Sequence, residues 1–411
     1  MATIEAVKQA VHGSLMQAVK RVQLDMDRYL VLLLTVSIFL PFYFSVACVI
    51  SISIMTMINC RKRDRAFSAP YTKYLFVFVI ATFFIAAYYN NYVGMMYSIT
   101  IYAVVVSALY LRSVMTRLIF NQALDLACIA SIWCLFIALY QKATAYALAP
   151  NYRPVSVFSN ANYYGMVLEF VILIALYRIF TNPKLTAFYL IIISMNFFGI
   201  YLTASFSSLA AVLCAVMAML LLKKQYRFAA AFVLAAALLA GVFVLFPALV
   251  PRGSEALDRT IAERLSIWTT AVRGFRQEPL FGQGAMTYQL IYEQFAGYKT
   301  YHCHNLFLDM LLNYGIVGFA AIGFYFFMQA RILLYRFRSN ICNNMNILLL
   351  SMLTAIFVHG MTDVTIFWIQ TAALFLLVYS STGIDSVFME RRLLPEFLSE
   401  YSSESYLRRS T

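Results

Sequence analysis

The chain has 411 residues, of which 63% are hydrophobic and only 12% are charged, and its mean hydropathy is +0.76. This composition excludes a soluble globular protein and indicates an all-α polytopic membrane protein. The net charge of +13 does not indicate nucleic-acid binding, because the basic residues form short clusters between apolar segments and so mark the cytoplasmic side of a membrane.

The N-terminal residues 1–28 carry apolar side chains at helical spacing opposite basic ones, which predicts an amphipathic helix in the cytoplasmic membrane surface. Residues 29–59 are apolar, are interrupted at Pro41 and have basic residues at both ends, so we expect a hairpin that enters the membrane and returns. Asp25 and Asp27 could instead form the metal-binding DxD of a nucleotide-sugar glycosyltransferase, but no Rossmann-like soluble domain accompanies them in the sequence.

Ten further apolar segments follow, each about long enough to cross a bilayer. They lie near 72–89, 93–111, 122–140, 163–181, 185–204, 207–222, 228–246, 305–328, 344–359 and 367–382. The basic clusters between them fall on one side, as the positive-inside rule requires of the cytoplasm. With the hairpin, the sequence predicts about 12 transmembrane helices, grouped in 29–246 and 304–382, and a cytoplasmic tail, 383–411.

The largest polar segment, residues 247–303, is placed outside by this topology, between the ninth and tenth helices. Its cations run against the positive-inside trend: Arg252, Arg259, Arg264, Arg273, Arg276 and Lys299. The planar fork of arginine matches phosphate oxygens in pairs, so the cluster suits a phosphate or pyrophosphate ligand at the membrane surface. For Arg273 and Arg276 we prefer ion pairing with nearby acids such as Glu278.

Four stretches carry short motifs in a fixed order. They are "RPVSVFSNANYYG" (153–165), "ERLSIWTTAVRGFRQEPLFGQG" (263–284), "HCHNLFLDMLLNYGIVG" (302–318) and "HGMTDVTIFW" (359–368). In order, spacing and topology they resemble the bacterial O-antigen ligase and polymerase superfamily. Members of that superfamily share an Arg-x-x-x-Trp-like helix, a Pro-Leu-x-Gly-x-Gly turn and a His-Asn-x-x-Leu start to a transmembrane helix.

The resemblance implies a GT-C-like glycosyltransferase in the bacterial cytoplasmic membrane, with its active site on the outer face. The enzyme would take a glycan from an undecaprenyl-pyrophosphate carrier and join it to a hydroxyl of a glycan or of lipid A core. Transfer would be inverting and independent of metals and cofactors. The implied partners are the lipid-linked donor, the acceptor and the bilayer, and not nucleic acid.

The resemblance also assigns the catalytic residues. Arg264 matches the family arginine and would stabilise the charge that develops on the leaving pyrophosphate. His304 matches the His-Asn motif and would be the general base, because histidine ordinarily titrates near pH 6.5. Substrate contacts are expected from Arg153, Arg252, Arg259, Asn305 and His302. For His302 a surface position is the preferred interpretation. Asn305 could cap the following helix or, equally, orient His304.

Three further polar residues are expected to support the site. Asp309 lies inside the helix that follows His304, where a carboxylate needs the site or a polar partner. His359 and Asp363 are one helical turn apart near the C terminus. They could pair with each other or with the loop above them.

One motif departs from the family. Where members usually have Thr-x-Ser/Thr-Arg at the outer end of a helix, this chain reads "TASFSS" (203–208), with Phe206 at the arginine position. We expect either that Arg153 or Arg252 replaces the missing arginine, or that the donor is handled differently.

Several functions remain open at this point. Polymerisation of surface-polysaccharide repeat units is the leading hypothesis, because Phe206 departs from the ligase-like pattern. An O-antigen ligase and a protein O-oligosaccharyltransferase share the same motifs. A polysaccharide or lipid-linked glycan transporter would need more polar residues within its helices than Asp125 and Glu169. A non-catalytic scaffold would leave the histidines and arginines of the outer face without a role.

Overall fold

The computed structural model describes residues 25–146, 149, 151–251 and 254–384, and for 254–257 the backbone only. Within this part of the chain 81% of the residues are helical and none form a strand. Residues 1–24 of the expected amphipathic helix therefore lie outside the described part of the chain. The tail from residue 385 onward and Arg252 lie outside them as well.

Fifteen α-helices are present in the described ranges. Their bounds are α1 (25–38, helical from the first described residue), α2 (Phe42–Ile58), α3 (Cys60–Phe67), α4 (Thr72–Tyr88), α5 (Tyr92–Val114), α6 (Arg117–Ala145), α7 (Ala161–Thr181), α8 (Thr186–Thr203), α9 (Phe206–Leu222), α10 (Tyr226–Leu245), α11 (Ser254–Gln277), α12 (Tyr288–Ile291), α13 (Leu306–Arg338), α14 (Asn343–Gly360) and α15 (Ile369–Tyr379). Each apolar segment expected from the sequence corresponds to one of these helices.

Fewer helices qualify as membrane spans than the sequence predicts. Six are long and apolar enough to cross a bilayer: α5, α6, α7, α8 with the short turn before it, α10 and α13. The pair α2 and α3 makes a seventh if it counts as one span, although it is bent by 103°. Helices α4 and α9 are apolar but have only 17 residues each, and α15 is shorter still. The expected number of about 12 spans is therefore not confirmed.

Helix α7 forms the centre of the bundle. It packs against α6, α8, α9, α14 and α15, and 16 of its 21 residues are buried. Gly165 lets α9 approach closely, because a Cβ atom at this position would collide with the side chain of Ser208. This close contact brings the first turn of α7 beside the start of α9. The first turn of α7 is part of the candidate site described below.

Two arginines from the predicted cytoplasmic clusters are buried instead of solvated. Arg178 of α7 donates to both carboxylate oxygens of Asp125 in α6, at 2.7 and 2.9 Å. Arg336 of α13 is fully buried and donates to the carbonyls of Thr382 and Ile384. These side chains hold elements of the bundle together at the end opposite the site.

The candidate DxD motif has a structural explanation. Asp27 is only 3% exposed, and it accepts hydrogen bonds from Lys62 at 2.8 Å and from the Tyr110 hydroxyl at 2.6 Å. An aspartate held by a lysine and a tyrosine is already satisfied. The contacts link α1 to α3 and α5 and favour a structural role.

The turn at residues 279–284 is inserted into α13. Gly315 interrupts this helix with a left-handed φ of 61°, and the amides of Ile316 and Val317 donate to carbonyls of the turn at 2.8 and 3.0 Å. A Cβ atom at Gly315 would lie 2.3 Å from the Leu280 carbonyl carbon and oxygen. Glycine is therefore required both by the backbone conformation and by the close approach. The turn ties the segment that carries α11 to the helix that begins after His304.

Candidate active site

The site is centred on a histidine and a carboxylate that are 59 residues apart in the sequence. His304 Nδ1 lies 3.0 Å from Asp363 Oδ1, and the two side chains are 24% and 2% exposed. With Nδ1–H donating to the carboxylate, Nε2 keeps its lone pair and can accept a proton. Nε2 lies 3.3 Å from the hydroxyl of Thr300. The pair has the geometry of a general base oriented by an acid.

A chain of hydrogen bonds extends from the carboxylate to an arginine. Asn162 in the first turn of α7 donates its amide to Asp363 Oδ2 at 2.5 Å. The amide oxygen of Asn162 accepts from Arg153 Nη2 at 2.6 Å and from the hydroxyl of Ser205 at 3.1 Å. Arg153 Nε donates to the carbonyl of Thr203 at 2.7 Å. Arg153 therefore lies at the segment where Phe206 stands in place of the family arginine.

Hydrogen bonds to a buried carboxylate fix the backbone of the loop that precedes α13. His304 adopts a left-handed conformation with φ 48°, which is uncommon for a residue other than glycine. Asp309 accepts from the amide of Cys303 at 2.9 Å and from the side chain of Asn313 at 2.8 Å. Asp309 is 3% exposed and thus serves as an anchor for the loop. The left-handed backbone of His304 is strained, and such strain is retained where the surrounding structure compensates for it, often at functional sites.

Asn305 caps α13. Its side-chain oxygen accepts from the Leu308 amide at 3.0 Å, and its amide group donates to the Met361 carbonyl at 3.0 Å. Of the roles that the sequence leaves open for Asn305, helix capping is the one for which the structure shows a hydrogen bond. The second contact ties the start of α13 to the segment that carries Asp363.

His302 is not a surface residue, contrary to the preferred interpretation of the sequence. Its side chain is 16% exposed, and its Nε2 lies 3.8 Å from Asp363 Oδ1. Burial lowers the pKa of His302 despite the attraction of the Asp363 carboxylate. Burial alone would raise the pKa of Asp363, but the hydrogen bond and charge of His304 and the charges of His302 and His359 outweigh it and hold that pKa well below its usual range. Asp363 is therefore ionised at physiological pH.

Helix α11 covers the loop from the other side. The Trp268 indole N–H lies 3.4 Å from the His304 carbonyl. Arg264 is four residues earlier, so it shares this face of α11, and it is half-buried. Arg259 lies farther from this contact and is exposed. Contacts thus bring Arg153, His302, His304 and Asp363 to one region, and helical spacing places Arg264 on the face of α11 that contacts the His304 loop.

His359 has a different partner from the one suggested by its spacing. Its Nδ1 lies 2.7 Å from Glu169 Oε1 on α7, and both side chains are fully buried. The side chain of Asp363, one turn later, instead contacts the loop above it. The Asp363 amide donates to the His359 carbonyl at 3.0 Å, but the two side chains have different partners, because α14 ends at Gly360 and the chain then turns toward His304.

Three of these side chains could also share a cation. His302, His304 and Asp363 each offer one donor atom, and these atoms lie within 4.8 Å of one another. The sequence did not indicate this grouping because Asp363 is distant along the chain. Metal independence remains a prediction, and chelation tests it directly.

Comparison with known families adds an independent finding. Residues 188–323 match the sequence model of a family described as O-antigen ligase. The resemblance to the O-antigen ligase and polymerase superfamily is confirmed. The match includes Arg264 and His304, while Arg153 and Asp363 lie outside it. A search of curated proteins gives no match. The O-antigen ligase match supports a glycosyltransferase-like activity of the ligase or polymerase type in an integral membrane protein.

Sequence reasoning missed two residues with central positions. Asn162 connects Asp363 to Arg153, and Trp268 connects α11 to the His304 loop. Both lie inside the motif stretches 153–165 and 263–284, and their place in these motifs is the feature that could have identified them. Their contacts were not predictable, because each partner comes from a distant segment.

Proposed function

We propose that this protein transfers a glycan from an undecaprenyl-pyrophosphate carrier to an acceptor hydroxyl at the outer face of the bacterial cytoplasmic membrane. The observation that carries the proposal is the contact between His304 and Asp363, because it leaves His304 Nε2 available as a base beside the helix of Arg264. The O-antigen ligase match over residues 188–323 supports a lipid-linked glycan as the donor.

The proposed reaction is a single displacement. His304 Nε2 accepts the proton of the acceptor hydroxyl while that oxygen attacks the anomeric carbon of the donor sugar. The bond between this carbon and the pyrophosphate oxygen breaks, the bond to the acceptor oxygen forms on the opposite face, and the anomeric configuration inverts. Asp363 holds the tautomer with the proton on Nδ1 and stabilises the imidazolium that forms. The proton then leaves to solvent.

Arg264 is proposed to stabilise the leaving group. As the carbon–oxygen bond breaks, negative charge accumulates on undecaprenyl pyrophosphate, and a fixed guanidinium can bind two of its oxygens. Its position on the same face of α11 as Trp268 directs it toward the His304 loop. No step in this mechanism requires a metal, so excess EDTA should leave the rate unchanged. Strong inhibition by EDTA that a divalent ion restores would contradict metal independence.

Polymerisation of surface-polysaccharide repeat units is the form of the reaction that we propose, with ligation to lipid A core as the alternative. The departure at Phe206 is a weaker reason for this preference than it was from the sequence, because Arg153 lies at the carbonyl of Thr203 and can supply the missing charge. The distinction therefore requires the phenotype of a deletion strain. Accumulated single-unit glycan would support polymerisation, and full-length glycan retained on carrier lipid would support ligation.

The transfer itself is tested with purified protein in detergent or nanodiscs. The lipid-linked glycan extracted from the producing cells serves as donor, and undecaprenyl pyrophosphate release and glycan lengthening are followed together. The proposal predicts that both products appear in equal amounts and that both depend on His304. Glycan movement across a vesicle membrane without release of undecaprenyl pyrophosphate would favour a transporter instead.

A further inference from the structure

A row of aromatic side chains lies beside the site and has no role in the reaction described so far. Tyr163 and Trp368 are stacked face to face, with ring centroids 4.9 Å apart and planes 10° apart. Phe42 follows at 5.3 Å from Trp368, and Tyr43 at 5.9 Å from Phe42. We refer to Tyr163, Trp368, Phe42 and Tyr43 as the aromatic row. It joins α7, the segment before α15 and the start of α2.

The near end of the aromatic row adjoins the catalytic carboxylate. Tyr163 directly follows Asn162, whose amide donates to Asp363, so it lies in the turn of α7 that contacts the carboxylate. Both Tyr163 and Trp368 are half-buried. The far end is open, since Phe42 and Tyr43 are 42% and 55% exposed. The row therefore runs from the His304–Asp363 pair toward the surface.

Internal hydrogen bonds hold the row in place. The Trp368 indole N–H donates to Gln370 Oε1 at 2.9 Å. The Gln370 amide in turn donates to the carbonyls of Ile38 and Leu40, at 2.9 and 2.7 Å, and so fixes the turn that leads into α2. Tryptophans of a membrane belt usually direct this N–H to the wet interface. Here it donates to Gln370 instead, which holds the ring in its stack with Tyr163.

We propose that the aromatic row is a subsite for sugar rings of the acceptor glycan. The inference rests on the proposed transferase function and specifies which side of the site receives the acceptor. One face of a pyranose ring presents C–H groups, which pack on the negative faces of aromatic rings, while its hydroxyls remain free to form hydrogen bonds. A half-buried indole and phenol offer the apolar contact, and the phenol hydroxyl of Tyr163 offers a polar one.

The position of the row favours the acceptor over the donor. The acceptor hydroxyl must come within hydrogen-bonding distance of His304 Nε2, and the row begins on α7 beside Asn162, which contacts the Asp363 partner of His304. The arginine proposed for the donor pyrophosphate, Arg264, is on α11, which contacts the His304 loop through Trp268. The two substrates would therefore enter from different elements and meet at His304.

Binding can be measured by intrinsic fluorescence, because the chain has only three tryptophans, Trp133, Trp268 and Trp368. The probe is the repeat-unit oligosaccharide released by mild acid from the cells' own lipid-linked glycan. We expect saturable quenching in wild-type protein and in Trp133→Phe, a variant of a lipid-exposed residue on α6. Most of the signal should be lost in Trp368→Phe. Quenching by undecaprenyl phosphate in micelles but not by the oligosaccharide would overturn the proposal in favour of a lipid groove.

Steady-state kinetics supplies the second measurement. Trp368→Ala should raise the KM for the acceptor about 3- to 10-fold, the range expected for loss of one aromatic contact, and leave kcat at saturating acceptor nearly unchanged. Trp368→Phe should recover much of the loss. An unchanged acceptor KM in folded Trp368→Ala would contradict the subsite and leave the transferase proposal intact. Oligosaccharide quenching in a protein without transferase activity would support the subsite and refute the transferase proposal.

Discussion

Replacement of Asp363 by asparagine separates a catalytic pair from a merely structural contact. The native carboxylate accepts on both oxygens: Oδ1 from His304 Nδ1–H and from the Val364 amide, and Oδ2 from the Asn162 amide. An asparagine has one oxygen and one NH2 group. In either orientation the NH2 group faces a donor, and in one of them it donates to His304 Nδ1, which moves the imidazole proton to Nε2.

The expected loss is large because Nε2 is the atom that must accept the acceptor proton. General-base assistance is worth about 10²–10⁴ in rate, and the same substitution in Ser-His-Asp triads lowers kcat by about 10⁴. We therefore expect Asp363→Asn to reduce kcat by about 10²–10⁴. His304→Ala should lower kcat by a similar factor. The kcat of the double variant should be no lower than that of the less active single variant, since the two residues act as a unit.

The pH dependence has a defined sign. Folding lowers the pKa of Asp363 below the ordinary carboxyl value of about 3.9, so its charge stabilises the folded state above that pH and the contribution is lost only as pH falls through the lowered pKa. Between pH 6 and 8 the carboxylate does not titrate. Asp363 itself should therefore contribute no pH dependence to the activity in this range, and a rate that follows the titration of a carboxyl between pH 6 and 8 would contradict its assignment as the ionised partner.

The assay is undecaprenyl pyrophosphate release by purified variants, with thermal unfolding in detergent as the folding check. Asp125→Asn is the matched control, because it removes a carboxylate from the Arg178 pair at the other end of α7. It should lower thermal stability and keep the activity of the folded fraction. Wild-type kcat in folded Asp363→Asn, or losses that add in the double variant with His304→Ala, would refute the pairing as the source of catalysis.

Three further predictions concern other parts of the account. Arg264→Lys should lose most activity, because a point charge does not replace a two-point contact with pyrophosphate; activity close to wild type would limit Arg264 to general charge attraction. Gly315→Ala should destabilise the protein by about 1–3 kcal/mol through backbone strain at φ 61°, measured as a lower Tm; an unchanged Tm would contradict the described break in α13. A cysteine at Asp258 should be labelled from outside intact cells and one at Lys224 should not; the reverse labelling would overturn the topology.

The apolar helices could be predicted from the sequence because each is encoded by a local apolar run, and hydropathy reports such runs directly. The charged helix α3 is not encoded in this way. The number of membrane spans could not be predicted as well. Helices α4 and α9 have 17 residues each, close to the minimum that crosses a bilayer. Charge clusters suggested a side of the membrane for each loop, yet Arg178 and Arg336 are buried in the bundle, where packing determines their position.

In the candidate site, too, residues in contiguous motifs could be predicted, whereas contacts between distant segments could not. His304, Arg264 and the cap at Asn305 lie in contiguous motifs and could be singled out from the sequence. The partner of His304 could not be chosen in advance, because spacing alone also allowed a pair between His359 and Asp363. The burial of His302 depends on contacts with distant parts of the chain, such as the segment that carries Asp363, which no local pattern encodes.

The most direct test of the central claim is the rate of a single transfer by purified His304→Ala with lipid-linked donor and acceptor present at saturation. We predict a folded protein that still binds donor and transfers about 10²–10⁴ times more slowly than wild type between pH 6 and 8. Transfer at the wild-type rate by this folded variant would show that His304 is not the base. In that case the loop before α13 would be only a capped helix start.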